Sequence, residues 1–347
     1  MTDTQLHYRR PPGPDQPVTL GLDAETLPRL QSLQREYGDV VSLNQANGRL
    51  AYFVNDAVEV RKILTRRHAR YEKGPGFERV KMLLGNGLIV SDGDVWRRSR
   101  TMIQPAFSRQ NVHRLMAVMV ECCDRRAFLS RDSTRDLSVV MKARHLRELL
   151  DELMTLIVAG FETSANTLNW VWYLVAKHPG IEARLIDEAQ RVVPNVSALT
   201  AENLGAMEYT QQVLEEVLRL YPPVWLLTRR SLTDDDLKDF DVPAGTDIYL
   251  APFVLHRTDH YWPEADKFDP ERFLPSDRPK KDRPFFPFSL GPRRCLGEFF
   301  SFLEMKVHLC LLLPRFRMSL VEGAEPELEL AINLRVADDI HVRPEIR

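Results

Sequence analysis

Apolar residues recur at helical spacing along most of the chain and alternate only in short patches, which predicts a mainly α-helical fold with small β-sheets. After an extended lead-in at Pro11, Pro12, Pro14 and Pro17, Glu25 to Tyr37 reads as an amphipathic helix. Val40 to Leu43 and Leu50 to Val54 read as short strands, with Asn47-Gly48 as the hairpin turn between them. Asp56 is placed to cap a helix running to about Leu64. Another helix follows Ser91-Asp92-Gly93-Asp94, through Trp96, Arg100 and Ile103. The longest apolar-periodic run, Ala143 to Lys177, ends at His178-Pro179-Gly180. Gln211 to Leu220 is a helix stopped by Tyr221-Pro222-Pro223. Arg229-Arg230-Ser231 and Phe240 to Leu250 read as short strands turning at Pro243-Ala244-Gly245. A second long apolar segment, Glu298 to Leu313, precedes short strands that continue to Arg347.

Several places break the local pattern. In the longest helix, Ala159-Gly160-Phe161-Glu162-Thr163-Ser164 sets polar groups and a glycine among apolar neighbours. Gly160 costs about 1 kcal/mol against alanine in a helix interior. It would either admit a tight helix crossing, with Thr163 bonded back to its own helix, or open a groove holding a hydroxyl. Glu216 and Arg219, three apart, share a helical face and can pair. If buried, the pair needs a third partner, and Arg272 in Phe268-Asp269-Pro270-Glu271-Arg272-Phe273 is the candidate. Trp96 and Arg100, four apart, could hold a carboxylate with two kinds of N–H donor or form an ordinary amphipathic face with an exposed arginine. The basic run Arg61 to Arg70 reads as a solvated helix face, and His256 as a structural hydrogen-bonding histidine.

Composition narrows the function classes. The 347 residues are 44% hydrophobic and 28% charged, with formal net charge −2, which fits a soluble globular chain and gives no sign of a nucleic-acid partner. Cys122, Cys123, Cys295 and Cys310 show no paired spacing, so a reducing compartment is expected. Met1 to Arg10 lacks an apolar core, predicting no secretory signal, no membrane anchor and a cytoplasmic location.

The remaining cysteine loop carries the chemistry. Phe288-Ser-Leu-Gly291-Pro-Arg293-Arg-Cys295-Leu-Gly297 is a glycine- and arginine-rich turn ending at the start of a helix. Free amides and the helix dipole there favour a thiolate on Cys295. Gly291 and Gly297 allow tight backbone geometry, and Arg293 offers charge to an anionic group. A lone cysteine at such a place is ordinarily a small buried hydrophobe. The pattern Phe288-x-x-Gly291-x-Arg293-x-Cys295-x-Gly297, however, resembles the haem-binding loop of the cytochrome P-450 family. Ala159-Gly160-x-Glu162-Thr163-Ser164 resembles that family's oxygen-binding stretch, Trp96-x-x-x-Arg100 its propionate-binding pair, and Glu216-x-x-Arg219 followed by Pro-Glu-Arg272-Phe its structural lock.

The resemblance implies one haem-enclosing domain over residues 1–347 and haem b as cofactor, with Cys295 as axial iron ligand. It implies propionate contacts from Trp96, Arg100, Arg293 and Arg230, with Arg229 as the adjacent alternative. Phe288 would shield the sulfur, Gly160 and Gly297 would border the cofactor, and Glu162 with Thr163 would handle protons for O2. Glu216, Arg219 and Arg272 would be structural. The implied activity is monooxygenation of a hydrophobic small molecule such as a fatty acid or terpenoid. Electrons would come from a separate ferredoxin- or flavodoxin-type donor with its reductase, since no such module is fused. The stretch Leu83 to Phe107 is similar to the microsomal and fatty-acid-hydroxylating branches. The chain departs from the family between Arg100 and Thr163, where members hold on the order of a hundred more residues. The shortening falls near 125–144 and would remove the distal roof helices. Two other readings follow: a non-catalytic or crippled haem-binding protein, and a peroxide-driven peroxygenase.

Overall fold

A computed structural model describes residues 8–126, 146–195, 198–276, 283–321, 325–337 and 340–347. Most of the expected shortening, 127–144, and the first residues of the expected helix at Ala143 lie outside them. The architecture is mainly helical with small sheets. Its organising rod is the helix Leu146–Lys177. Around its C-terminal half pack the helices Pro179–Val192, Glu208–Leu220 and Glu298–Leu312. Trp170, Val171 and Leu174 meet Val213, Val217, Met305 and Leu309 in the largest core cluster.

A five-stranded sheet builds two further core clusters. Its strand order is Val40–Asn44, Leu50–Val54, Asp247–Leu250, Leu227–Ser231, Tyr71–Lys73. The hairpin turns through Gly48, whose φ of 74° suits a residue without a Cβ. Asp56 accepts the amides of Val58 and Glu59 and so starts the helix Ala57–Leu64. The helix Thr26–Tyr37 covers one sheet face through Leu27, Leu30 and Leu33, against Val41, Leu43 and Phe53. Two-stranded ladders close the C-terminal part, Phe316–Leu320 on Val342–Ile346 and Leu328–Leu330 on Leu334–Val336.

One expectation is overturned. The second half of the Arg61 to Arg70 run is not a solvated helix face, because the helix ends at Leu64. Arg67 and Arg70 instead both reach Asp235 Oδ1 at 2.8 Å, while Tyr71 Oη donates to Oδ2. That acid's side chain is fully buried, which is why it needs this many partners.

No helix among the described residues is long and apolar enough to cross a membrane.

Candidate cofactor site

Cys295 sits just before the helix Glu298–Leu312, at the end of a turn whose shape its sequence demands. Gly291 has φ 69°, and a Cβ there would meet Leu64 O at 2.2 Å, so the loop can lie against the preceding helix only with glycine. Gly297 differs from the expectation: its φ is −84° and the nearest atoms to a Cβ would be 3.8 Å away. Its backbone is unstrained. The missing Cβ instead leaves space beside the Cys295 sulfur, which would stand 3.9 Å off. Cys295 N–H donates to Phe288 O at 2.9 Å, closing the loop, and the Phe288 ring packs on Phe302 with centroids 5.4 Å apart.

Cys295 is exposed as a residue, yet protein packs closely round its sulfur, which accepts hydrogen bonds from the amides of Gly297 and Glu298. Its pKa nevertheless stands above the ordinary thiol value. Desolvation in its deep setting is the largest influence and outweighs the two amides and nearby Arg100, which pull the other way. The amides alone do not make a thiolate here. A bound metal cation would, by deprotonating the ligand outright.

A cleft of about 690 Å3 is lined by Cys295 together with Phe299, Phe302, Arg109 and Glu208, whereas Trp96, Arg229, Arg293 and Thr163 do not line it.

Trp96, Arg293 and Arg229 gather beside the edge strand Tyr71–Lys73. The helix Gly93–Ile103 carries Trp96 and Arg100 toward the cysteine loop. The Arg293 guanidinium lies 5.1 Å from the Trp96 ring centroid, and Arg100 donates to Arg294 O at 2.7 Å. On the strand Leu227–Ser231, alternation separates the two candidate arginines. Arg230 is taken by Asp247, with Nε to Oδ1 at 2.7 Å, and lies near Glu78. Arg229 is the buried one, and its hydrogen bond runs to Thr228 O at 2.8 Å. Burial lowers its pKa to about 10, helped by Arg293 and opposed by Asp92. The Arg230 guanidinium is thus committed to Asp247, whereas that of Arg229 is buried on the other face of the strand.

Sequence reasoning missed Lys73 altogether. It is paired across the ladder with Arg229, so two cations face each other on one side of the sheet. Lys73 Nζ donates to Leu88 O at 3.0 Å and Ser91 O at 2.6 Å. Burial lowers its pKa to about 7, with Asp92 opposing and Arg293 and Arg229 assisting. The available signal was weak: a lysine in the strand Tyr71–Lys73, followed by Gly74-Pro75.

On the central helix, nothing lies within 4 Å of a Cβ built on Gly160. Among the described residues no helix crosses tightly at Gly160, and the position borders open space. Thr163 donates its hydroxyl proton back to Ala159 O at 2.7 Å, leaving the oxygen's lone pairs free to accept. Glu162 is drawn to the C-terminal hairpin, accepting from Asn333 Nδ2 at 2.9 Å with Arg335 at 3.9 Å. Glu162 and Thr163 thus share no hydrogen bond.

Behind the loop, Glu216 and Arg219 are both fully buried and joined by two bonds of 2.7 and 2.8 Å. Arg219 also donates to the carbonyls of His256, Ala265 and Lys267. Glu216 accepts Asp269 N–H at 2.9 Å and lies 3.6 Å from Arg272 Nε. His256 accepts Phe286 N–H through Nε2. This network fixes the segment that leads into the cysteine loop.

Residues 124–336 match the family model for cytochrome P-450. The chain belongs to the cytochrome P-450 family. Cyclooctatin synthase of Streptomyces melanosporofaciens is 37% identical over 180 residues, 52% of this chain and 39% of that protein. LUTEIN DEFICIENT 5 of Arabidopsis thaliana is also 37% identical, covering 52% of this chain and 31% of that one. Cytochrome P-450 3A9 of Rattus norvegicus is 36% identical over 57% of this chain and 38% of its own length. The matched part of the chain thus spans well under half of these relatives. Glu162, Thr163, Arg229 and Cys295 lie inside the family match, whereas Lys73, Trp96 and Arg100 precede it.

The family's cofactor is haem b, and the residues present fit it. The Cys295 sulfur accepts from two amides, a glycine leaves the space beside it clear, and Lys73, Arg229 and Arg293 bring three cations together, with Arg293 Nη1 buried and lacking a hydrogen-bond acceptor.

Proposed function

We propose that the chain is a haem-thiolate monooxygenase that hydroxylates or otherwise oxidises a hydrophobic small molecule, such as a fatty acid or terpenoid. Two electrons would come from a separate ferredoxin- or flavodoxin-type donor with its reductase, and the compartment would be the cytoplasm. The observation that carries this reading is the accessible residue Cys295, its sulfur under two backbone amides, two residues after Arg293, whose guanidinium lies by the Trp96 ring. When bound, haem supplies activation of O2 and insertion of one oxygen atom into the substrate.

The chain's own residues would do the rest. Cys295 would hold the iron, and its two amides would temper how strongly the sulfur donates. Trp96, Arg100, Arg293 and Arg229 would hold the carboxylates, while Phe288 on Phe302 would keep water from the sulfur. Thr163 Oγ1, with its proton committed to Ala159 O, would accept a hydrogen bond in the open space beside Gly160. Glu162 could deliver a proton only after leaving Asn333. The mixed-charge cleft at Cys295, with Arg109 and Glu208 among its lining, is the surface on which an electron donor would act.

The test is the carbon monoxide difference spectrum of the reduced, haem-loaded protein. A thiolate-type band that disappears in Cys295→Ser supports the reading, and its absence in the wild type sinks it. Fatty acids and terpenoids should then produce substrate-binding spectral shifts. A second reading, a haem-binding protein without oxygenase activity, is favoured by one observation: Leu150, Met154, Ile157 and Phe161 leave an apolar stripe of the central helix exposed. That reading gives the thiolate band with no product and no substrate shift. A peroxide-driven enzyme would tolerate Thr163→Ala, whereas an O2-driven one would lose coupling.

A further inference from the structure

We propose that Asp92 is an internal counter-ion that competes with the haem carboxylates for Arg293, so that this aspartate limits how tightly the chain takes up its cofactor. The inference rests on the haem reading above and concerns a residue which that reading leaves unused.

Asp92 occupies the cap position of the helix Gly93–Ile103, where an aspartate ordinarily accepts amides of its own first turn. Its side chain makes no such bond. The carboxylate has been drawn the other way: Oδ2 accepts Lys73 N–H at 3.1 Å, and Oδ1 pairs with the Arg293 guanidinium. An acid that gives up its own helix start for a contact elsewhere is answering a stronger field. The source is evident in the register, which sets Lys73 opposite Arg229 on the face toward Arg293. Three cations therefore surround this site. The other nearby acid, Glu152, is committed to Leu88 N–H at 3.0 Å.

Two further features make the pairing an exchangeable one. The Asp92 to Arg293 contact is an ion pair without hydrogen-bond alignment, since neither Oδ1 nor Nη1 finds a properly directed partner. The unused amides at the start of its own helix also offer the carboxylate an alternative once it is displaced. A dicarboxylate cofactor entering this cradle meets Arg293 already neutralised. Binding must then displace Asp92 or tolerate two carboxylates on one guanidinium. Asp92 would thus be a positioning residue, tying the strand Tyr71–Lys73, the helix of Trp96 and the cysteine loop together before haem arrives, at some cost in affinity.

The experiment compares two ligands that differ only in charge. Haem-free wild type and Asp92→Asn are titrated with haemin and, separately, with haemin dimethyl ester, following Soret absorbance. Asparagine keeps an oxygen for Lys73 N–H and removes only the charge. The variant should bind the diacid roughly two- to fivefold more tightly, the range of one partly exposed charge interaction, while the ester affinity stays the same. An unchanged or weakened diacid affinity overturns the proposal, as does an equal shift for both ligands, which marks a purely structural effect. Should Asp92→Asn fail to fold, Asp92→Ser supplies a neutral capping residue for the same comparison, with far-UV dichroism confirming the fold. Wild type that shows no thiolate-type Soret band defeats the haem reading itself; a normal band without the ligand-dependent difference defeats only the role of Asp92.

Discussion

The two halves of the central helix live in different worlds. From Trp170 to Val175 the helix Leu146–Lys177 is enclosed by three others, and Trp170, 2% exposed, stacks flat on Tyr221 at 3.9 Å. Three turns earlier, Leu150, Met154, Ile157 and Phe161 form a single stripe at i, i+4, i+7 and i+11, with Phe161 74% exposed. The polar edge of that earlier half is held only locally: Asp151 accepts Asn86 N–H, and Glu152 accepts Leu88 N–H. Propensity alone does not hold so long a helix in water, so the buried half must carry the exposed one. The difference separates what keeps the fold from what the fold presents to a ligand.

The largest effect should come from breaking the enclosed side at its ionic lock. Arg219→Leu leaves Glu216 fully buried without its partner and frees three carbonyls. Removing one member of such a pair costs about 3–5 kcal/mol. Thermal or urea melting should show a chain that is largely unfolded or cannot retain haem. Replacing Trp170 by Ala on the same side should also cost about 3–5 kcal/mol, from lost burial and the cavity left behind. Phe161→Ala, on the same helix, should fall within about 0.5 kcal/mol of wild type. If the two tryptophan and phenylalanine variants melted alike, the division of the helix would be wrong. The Phe161 change should instead lower binding of an apolar dye, since it removes part of the exposed stripe.

A pH experiment tests the cradle at the sheet end. Lys73 has its pKa lowered from 10.5 to about 7, chiefly by burial. The unfolded chain therefore binds this proton more readily than the folded one between those values. The penalty is full below about pH 7 and is relieved as pH rises through that window, so stability attributable to Lys73 climbs toward pH 10.5. Lys73→Met should flatten that climb when melting is followed from pH 6.5 to 9.5. An unchanged slope would mean that the lysine is hydrated in solution.

Legibility in the sequence followed how local the chemistry was. Asp56 as a cap, Gly48 in a hairpin turn and Glu216 paired with Arg219 are settled within a few residues, and each was readable. Arg229 against Arg230 depended on strand register, where a shift of one residue exchanges the two faces, and no short pattern fixes it. Lys73 and the clamp of Arg67 and Arg70 on Asp235 depend on partners far along the chain. The family loop announced Cys295, but the upward push on its thiol comes from the depth of its setting, which the loop sequence does not contain. Gly297 shows the same limit: the pattern specified the glycine, while the structure gives the reason as space beside the sulfur and not backbone strain.

A modest effect of the opposite sign joins the two halves of the helix. Gly160 lies between the exposed stripe and the enclosed end, in a helical segment with nothing within 4 Å of the missing Cβ. Gly160→Ala meets no neighbour and restricts the unfolded chain, so it should stabilise the protein by about 0.5–1 kcal/mol. If Gly160 served only the fold, nothing else would change. If it keeps room for a ligand beside Thr163, the added methyl should weaken carbon monoxide binding to the haem-loaded protein while the melting temperature rises. Opposite signs in those two measurements would mean that the glycine is kept for the space it leaves, at the expense of helix stability. A rise in both would return Gly160 to the ordinary account of a tolerated helix defect.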